Sequence, residues 1–334
     1  MTKQRVLTGI KTSGTPHLGN YVGAIRPAIQ SSQQDDTLSF FFLADYHALN
    51  SVFDPQQILQ STREIAACWL ACGLDPDKVV FYRQSDIPEI PELCLLLNGL
   101  TAKGLMNRAT AYKDAVQKNM EEGEDPDFGI NMGLFNYPVL MAADILMFNA
   151  ERIPVGKDQR QHVEMTRDIA ARFNHHYGEH FVLPEAVIDA NTPTLDGLDG
   201  RKMSKSYNNA VFLSDTPEEI DQKLSRMMTD PARVRRTDPG EPEKCPAFQL
   251  HKIYCTPEEI DYVSRGCRTA GIGCLECKKI MIQHVIADLA PFREQRAIYE
   301  KNPDQVEAVL TAGNAVAQQK AAATMVEVRE AVGL

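Results

Sequence analysis

The chain has 334 residues, 43% of them hydrophobic, which is enough for a substantial core and for two domains. A formal net charge of −10 excludes a generic nucleic-acid coat protein, although a local basic patch remains compatible with phosphate contacts. The longest apolar run, Tyr137 to Phe148, is too short to span a bilayer, and Met1-Thr2-Lys3-Gln4-Arg5 carries no signal-peptide pattern. A soluble cytoplasmic protein with no membrane partner is therefore expected.

The first two-thirds of the chain alternates strand and helix signals. Residues 5–9 read as a strand and 18–31 as a helix. Residues 39–45 form a continuous aromatic-aliphatic run, which suits a strand buried on both faces. Asp54-Pro55 caps a helix that runs through Trp69 and ends near Gly73, and 79–82 is the next strand. A further short strand at 152–155 leads into a helix over 158–173. This βαβ rhythm predicts an α/β fold, a Rossmann-like parallel sheet with helices on both faces. Ligands of such a sheet sit at the carboxyl ends of its strands, beyond Gly9, Asp45 and Val155. After about Ser214 strand signals vanish. Thr216-Pro217-Glu218-Glu219-Ile220-Asp221 and Thr256-Pro257-Glu258-Glu259-Ile260-Asp261 repeat one hexapeptide. Each supplies a capping threonine, a proline at the first helical position and a glutamate three residues after the cap. Asn302-Pro303 opens a last alanine-rich helix running nearly to Leu334.

Two short segments carry the chemistry. Pro16-His17-Leu18-Gly19-Asn20 follows the first strand and opens a helix. Gly200-Arg201-Lys202-Met203-Ser204-Lys205-Ser206 is a glycine-led loop with two lysines three apart between hydroxyls. A helix start that takes base and phosphates, with mobile lysines to neutralise pyrophosphate, suits a nucleoside triphosphate. The stretch from Thr8 to Pro16 turns tightly on glycines and hydroxyls, as an ordinary strand–turn–helix connection also does. Asp158, in Gly156-Lys157-Asp158-Gln159, either accepts from a ribose hydroxyl or caps the helix.

The pair resembles the two signatures of class I aminoacyl-tRNA synthetases, the His-x-Gly-His-like turn and Lys-Met-Ser-Lys-Ser. The resemblance implies that Lys11, Thr12, Ser13, Gly19, Asn20, Gly156, Lys157 and Asp158 contact ATP, with Met203, Ser204 and Ser206 of the loop. Lys202 and Lys205 would hold the phosphates. The second signature histidine is Asn20 here, an amide that hydrogen-bonds but carries no charge. Lys113 adds charge near the phosphates, or is a surface lysine beside the acidic stretch 121–127. The implied division is a catalytic domain over 1–199, the lysine loop over 200–213 and a helical tRNA-binding domain over 214–334, whose last helix packs back on the first domain.

Tyr137, Met141 and Asp144 stand at i, i+4 and i+7 on one helical face. A carboxylate in these apolar surroundings needs a donor. An indole offers one N–H and no acceptor, and Met141 is a polarisable surface for an aromatic ring. Pairing of Asp144 with an arginine or a backbone amide is the structural alternative. This stretch resembles the specificity helix of tryptophanyl-tRNA synthetases, and the likeness covers nearly all of residues 5–255. It implies that Asp144 receives the indole N–H, that Tyr137 and Gln159 receive the ammonium group, and that His47 lies nearby. Leu7, Ile153 and Val155 would line the ring. On chemistry alone His47 is a hydrogen-bonded structural residue. The implied reaction joins L-tryptophan to tRNA(Trp) through an adenylate, with ATP and Mg²⁺, in a homodimer. A tyrosyl enzyme, disfavoured by Met141, and a non-catalytic paralogue are the alternatives.

Eight cysteines without secretory context read as reduced thiols or metal ligands. Cys245, Cys267, Cys274 and Cys277 have the spacing C-x21-C-x6-C-x2-C, and four thiolates can close on zinc or a four-iron cluster. Cys255 is a spare that could replace Cys245. A subset of tryptophanyl-tRNA synthetases resembles the chain here and carries a [4Fe–4S] cluster. The arginines at 233, 235 and 236, with Lys278 and Lys279, read as a solvated basic face.

Overall fold

The computed structural model describes residues 3–12, 14–188 and 194–334. Five parallel strands build one sheet: β1 (Gln4–Lys11), β2 (Thr37–Ala44), β3 (Val79–Arg83), β4 (Arg152–Pro154) and β5 (Glu185–Val187), in the order β3-β2-β1-β4-β5. The order reverses between β1 and β4, so a crevice opens at the carboxyl ends of those two strands. The run in β2 alternates across the sheet. Phe41 and Leu43 enter the apolar layer with Leu18, Trp69 and Phe81, whereas Phe40 and Phe42 enter the opposite layer with Leu7, Tyr82 and Phe148. The strands at 5–9, 39–45, 79–82 and 152–155 are found with ends shifted by one or two residues; β5 has no counterpart in the sequence reading.

The first helix is not uniform. It opens as Leu18–Asn20, passes through a π-helical turn at Tyr21–Ile25 and continues as Arg26–Ser32. Pro27 lacks an N–H, and its ring collides with the carbonyl four residues back, so the ladder shifts to the wider spacing just before it. The layer beneath Phe41 and Trp69 continues without a break into Ile220, Leu224, Leu250, Met281 and Val285 of the helical part. Both repeated hexapeptides start helices, Pro217–Arg226 and Pro257–Arg268, each closed by a reciprocal threonine–glutamate cap.

The last helix, Pro303–Val332, lies along the edge strand β3. Leu310 feeds one apolar layer and Ala317, Ala321 and Met325 the other, so this helix straddles the sheet edge. Gly313 allows the approach, because a Cβ there would stand 1.8 Å from the Phe81 carbonyl oxygen. The Arg83 N–H donates to Asn314 Oδ1 (2.9 Å), the Arg83 guanidinium pairs with Glu307 (3.0 Å), and Arg329 pairs with Glu92.

Candidate active site

The lysine loop is folded down on the first turn by main-chain bonds. Leu18 N–H donates to the Val211 carbonyl (2.8 Å), Leu213 N–H donates to the Pro16 carbonyl (3.1 Å), and His17 pairs with Phe212 as an antiparallel bridge. Met203, 3% exposed, joins Leu18, Val22 and Val211 in one core, with its Cβ 3.6 Å from where a side chain on Gly19 would begin. Buried Asn209 organises the interior of the loop. Its Oδ1 accepts from Ser204 N–H (2.8 Å), and its Nδ2 donates to Asp199 (2.6 Å) and to the Lys202 carbonyl (3.2 Å). Asn209, and then Arg201, hold the Asp199 carboxyl down at about 2. The Ser204 and Ser206 hydroxyls lie 2.8 Å apart. Lys202 and Lys205 remain exposed, and Lys205 Nζ stands 3.3 Å from where a Cβ on Gly14 would be. The lysines therefore face the turn that opens the first helix.

Asn20 spends its amide oxygen locally. His17 N–H donates to Asn20 Oδ1 (3.1 Å) and Asn20 N–H donates to His17 Nδ1 (3.2 Å), a reciprocal cap. Burial, with the charges of Lys205 and Lys202 added, pushes His17 down to about 4, so its imidazole stays neutral. Lys11 is exposed at the end of β1. Thr12 is buried, and its hydroxyl has no hydrogen-bond partner among the described residues. Gly156 and Lys157 are exposed at the turn after β4, and the helix Arg160–Tyr177 takes Gln159 as its cap position. Ser13 and the side chain of Asp158 lie outside the described residues. Lys113 is exposed on the first turn of the Thr110–Glu122 helix.

The other end of the crevice is built from side chains. Asp144 is fully buried on the Met132–Met147 helix, and burial pushes its carboxyl up. Its partners are neither an arginine nor a backbone amide. Gln84, in the turn after β3, donates to both oxygens at 2.8 and 3.0 Å, and His47, in the turn after β2, meets Oδ2 at 2.9 Å. A carboxylate offers about four acceptor positions, and these bonds leave room for one more donor. The rings of His47, Tyr137 and His162 form a row with centroids 4.7 and 5.2 Å apart. Gln159 Oε1 accepts from the Tyr137 hydroxyl (3.3 Å) and meets His162 Nδ1 at 2.9 Å. Leu7 and Ile153 belong to the apolar layer here, with Met141 and Val155 half-buried against it. Sequence reasoning missed His17, Gln84 and Asn209, although His17 stands inside a quoted segment and a polar residue directly after a strand was a usable signal for Gln84.

Cys245, Cys267, Cys274 and Cys277 line one pocket with Arg233, His251 and Lys278. Burial, reinforced by the other three thiols and opposed by Arg233, pushes Cys277 up to about 12. The basic cluster is not wholly a solvated face. Arg233 is buried, donating to the Ile272 carbonyl (2.6 Å) with its guanidinium 3.8 Å from Cys267 Sγ. Lys278 is buried too, donating to the Ser225 and Met227 carbonyls. Both pay for their burial with backbone acceptors and with the sulfurs beside them. His251, fully buried, holds a nitrogen 3.3 Å from Cys277 Sγ and the other 3.3 Å from Cys255 Sγ.

The chain is similar to known proteins over its whole length. The profile of tRNA synthetases class I (W and Y) matches residues 1–290. The chain is 51% identical to the tryptophan–tRNA ligase of Neisseria meningitidis, over 100% of this chain and 99% of that protein. It is 54% identical to the tryptophan–tRNA ligase of Pseudomonas putida, over 99% of this chain and 74% of that protein. The crystal structure of tryptophanyl-tRNA synthetase from Campylobacter jejuni complexed with ADP and tryptophan superposes with a TM-score of 0.88 at 36% identity, covering 99% of this chain and 100% of that one.

Proposed function

The chain belongs to the class I tRNA synthetases of tryptophan and tyrosine, and on that premise we propose how its site works. It is a tryptophan–tRNA ligase, an aminoacyl-tRNA ligase that uses ATP. Tryptophan lies with its indole N–H on Asp144, its ring between Met141 and the Leu7–Ile153–Val155 layer, and its ammonium group at Tyr137 and Gln159. His47 and Gln84 orient the Asp144 carboxylate. ATP lies across Lys11, Thr12, Ser13, Gly19 and Asn20, with Gly156, Lys157 and Asp158 toward its ribose. The tryptophan carboxylate, ionised at neutral pH, attacks the α-phosphorus. The bond to the bridging oxygen breaks and pyrophosphate leaves, its charge met by Lys202, Lys205 and the Mg²⁺ that accompanies ATP. Lys113 approaches the phosphates when the site closes. The adenylate then passes its acyl group to the terminal ribose of tRNA, which the 214–334 region binds.

The observation that carries this reading is the main-chain pairing of residues 16–18 with 211–213, which sets both loop lysines against the first turn. Catalysis here is positioning and electrostatics. The test is amino-acid-dependent ATP–pyrophosphate exchange with tryptophan, tyrosine and phenylalanine, with and without Asp144→Ala. Exchange with tryptophan alone, weakened by the substitution, is expected. Exchange with tyrosine would overturn the pocket assignment.

The four-cysteine pocket is read as the seat of a [4Fe–4S] cluster. The four thiols line one pocket, and the buried Arg233 and Lys278 suit the negative charge of four thiolates around such a centre. Cys245 rather than Cys255 completes the set, since Cys255 lies on the far side of His251. Iron and sulfide at four per chain in anaerobically purified protein is the expected analysis; one zinc and no iron would overturn it. A cytoplasmic homodimer completes the reading, and sedimentation at two chain masses is the check.

A further inference from the structure

Cys255 is left out of the four-cysteine pocket and has partners of its own. It closes the Pro246–Tyr254 helix, Glu259 stands in the first turn of the Pro257–Arg268 helix, and His284 reaches across from the Cys274–Asp288 helix. The Cys255 sulfur, a Glu259 oxygen and a His284 ring nitrogen all lie within 4.8 Å of one another. We propose that Cys255, Glu259 and His284 form a mononuclear site for a divalent transition metal, zinc by its donor set, separate from the four-cysteine pocket.

One thiolate, one imidazole and one carboxylate are ligands that zinc binds at about 2.0–2.3 Å, and small rotations bring the three atoms to those distances. Magnesium and calcium take oxygen donors and have no use for the sulfur. Two of the ligands are already steadied from outside. Thr256 N–H donates to Glu259 Oε2 (2.9 Å), both Glu259 oxygens face His284 Nε2, Oε2 at 2.8 Å and Oε1 at 3.0 Å, and His251 Nδ1 sits 3.3 Å from Cys255 Sγ. All three residues are partly exposed, so an ion has a way in, and three protein ligands leave a fourth position for water. The competing account is a plain His284–Glu259 ion pair beside an idle thiol, and the two differ in whether sulfur binds the metal.

The test titrates iron-loaded, full-length protein with Co²⁺ as a spectroscopic stand-in for zinc. One equivalent is expected to bind with a thiolate-to-cobalt charge-transfer band, and added Zn²⁺ is expected to bleach it. Cys255→Ser removes the band and His284→Ala weakens binding by more than about 100-fold, beyond the cost of losing a merely outer partner. Iron content stays unchanged in both. Glu259→Gln keeps the helix cap, since glutamine serves there equally, and is expected to weaken cobalt binding while the melting curve holds. A band that persists in Cys255→Ser and disappears in Cys274→Ser would place the ion among the four cysteines. No cobalt uptake by the wild-type protein would likewise overturn the proposal.

Discussion

The same substitution, glycine to alanine, is expected to have opposite signs at two helical positions. At Gly313 a Cβ would stand 1.8 Å from the Phe81 carbonyl oxygen, 2.6 Å from its carbon and 3.1 Å from its nitrogen, all main-chain atoms of β3. Ordinary contact begins near 3.4 Å, so the last helix must back away by roughly 1.5 Å, overpacking that typically costs about 1–3 kcal/mol. The movement also breaks the bond from Arg83 N–H to Asn314 Oδ1 and the bond from Asn314 Nδ2 to Asp86, at about 0.5–1.5 kcal/mol each. Alanine returns about 1 kcal/mol of helix propensity, which leaves Gly313→Ala about 1–5 kcal/mol less stable. At Gly99, in the Glu89–Leu100 helix, nothing lies within 4 Å of the added methyl, so Gly99→Ala keeps the propensity gain and is stabilised by up to about 1 kcal/mol. Urea unfolding reads both changes. Trp69, the only tryptophan, sits edge-on to Phe41 at 5.5 Å in the core and reports by fluorescence, with far-UV circular dichroism alongside. A Gly313→Ala midpoint at or above that of the wild type would refute the docking of the last helix on β3.

Gln84→Leu removes both donors from the amide to Asp144 and leaves His47 as its partner; the KM for tryptophan is expected to rise about tenfold, the worth of one hydrogen bond to a charged group. Those donors favour the charged carboxylate, so their loss raises its pKa, and pyrophosphate exchange by the variant fails at a higher pH on acidification; superimposable pH profiles would contradict the contact. Asn209→Ala unties Ser204 N–H, Asp199 and the Lys202 carbonyl, and is expected to lower the exchange kcat about 10- to 100-fold with the tryptophan KM unchanged, the signature of losing an interaction made at the transition state. An unaltered kcat would remove Asn209 from the loop's design. His17 is held at about 4 in the folded chain against an ordinary 6.5, so the unfolded chain takes the proton first. Its contribution is full above pH 6.5 and is lost as the pH falls toward 4. His17→Asn, which can still cap the helix, is expected to show a shallower fall of the urea midpoint over that window; equal slopes would sink the assignment.

Long, strongly patterned elements were legible in the sequence, and the contacts between distant ones were not. Residues 39–45 announce a strand because seven consecutive residues cannot alternate with water on a sheet buried on both faces. β5 escaped because three residues, Glu185–Val187, behind Pro184 carry no period to read. The π-helical turn escaped because a proline in a helical pattern gives a boundary or a kink equally well. Both signature segments could be read because each is contiguous. Gln84, by contrast, lies 60 residues from Asp144 and meets it only once β3 is paired beside β2. The basic cluster was misread for the same reason. Nothing local distinguishes buried Arg233 from exposed Val234 and Arg235 beside it; the sulfur pocket that buries it comes from 34 residues further on.

The two ends of the crevice age differently under mutation. The end proposed to take the nucleotide is fixed by main-chain pairs between residues 16–18 and 211–213. The end proposed to take the amino acid rests on side-chain bonds among residues 47, 84 and 144. A lineage can therefore alter its amino acid by a few buried point substitutions while the lysines keep their register. Surface loops between the two main-chain anchors can lengthen without disturbing that register. Change of substrate and growth of new surface are thus separate routes of divergence, and the fold lets each proceed without erasing the phosphate chemistry.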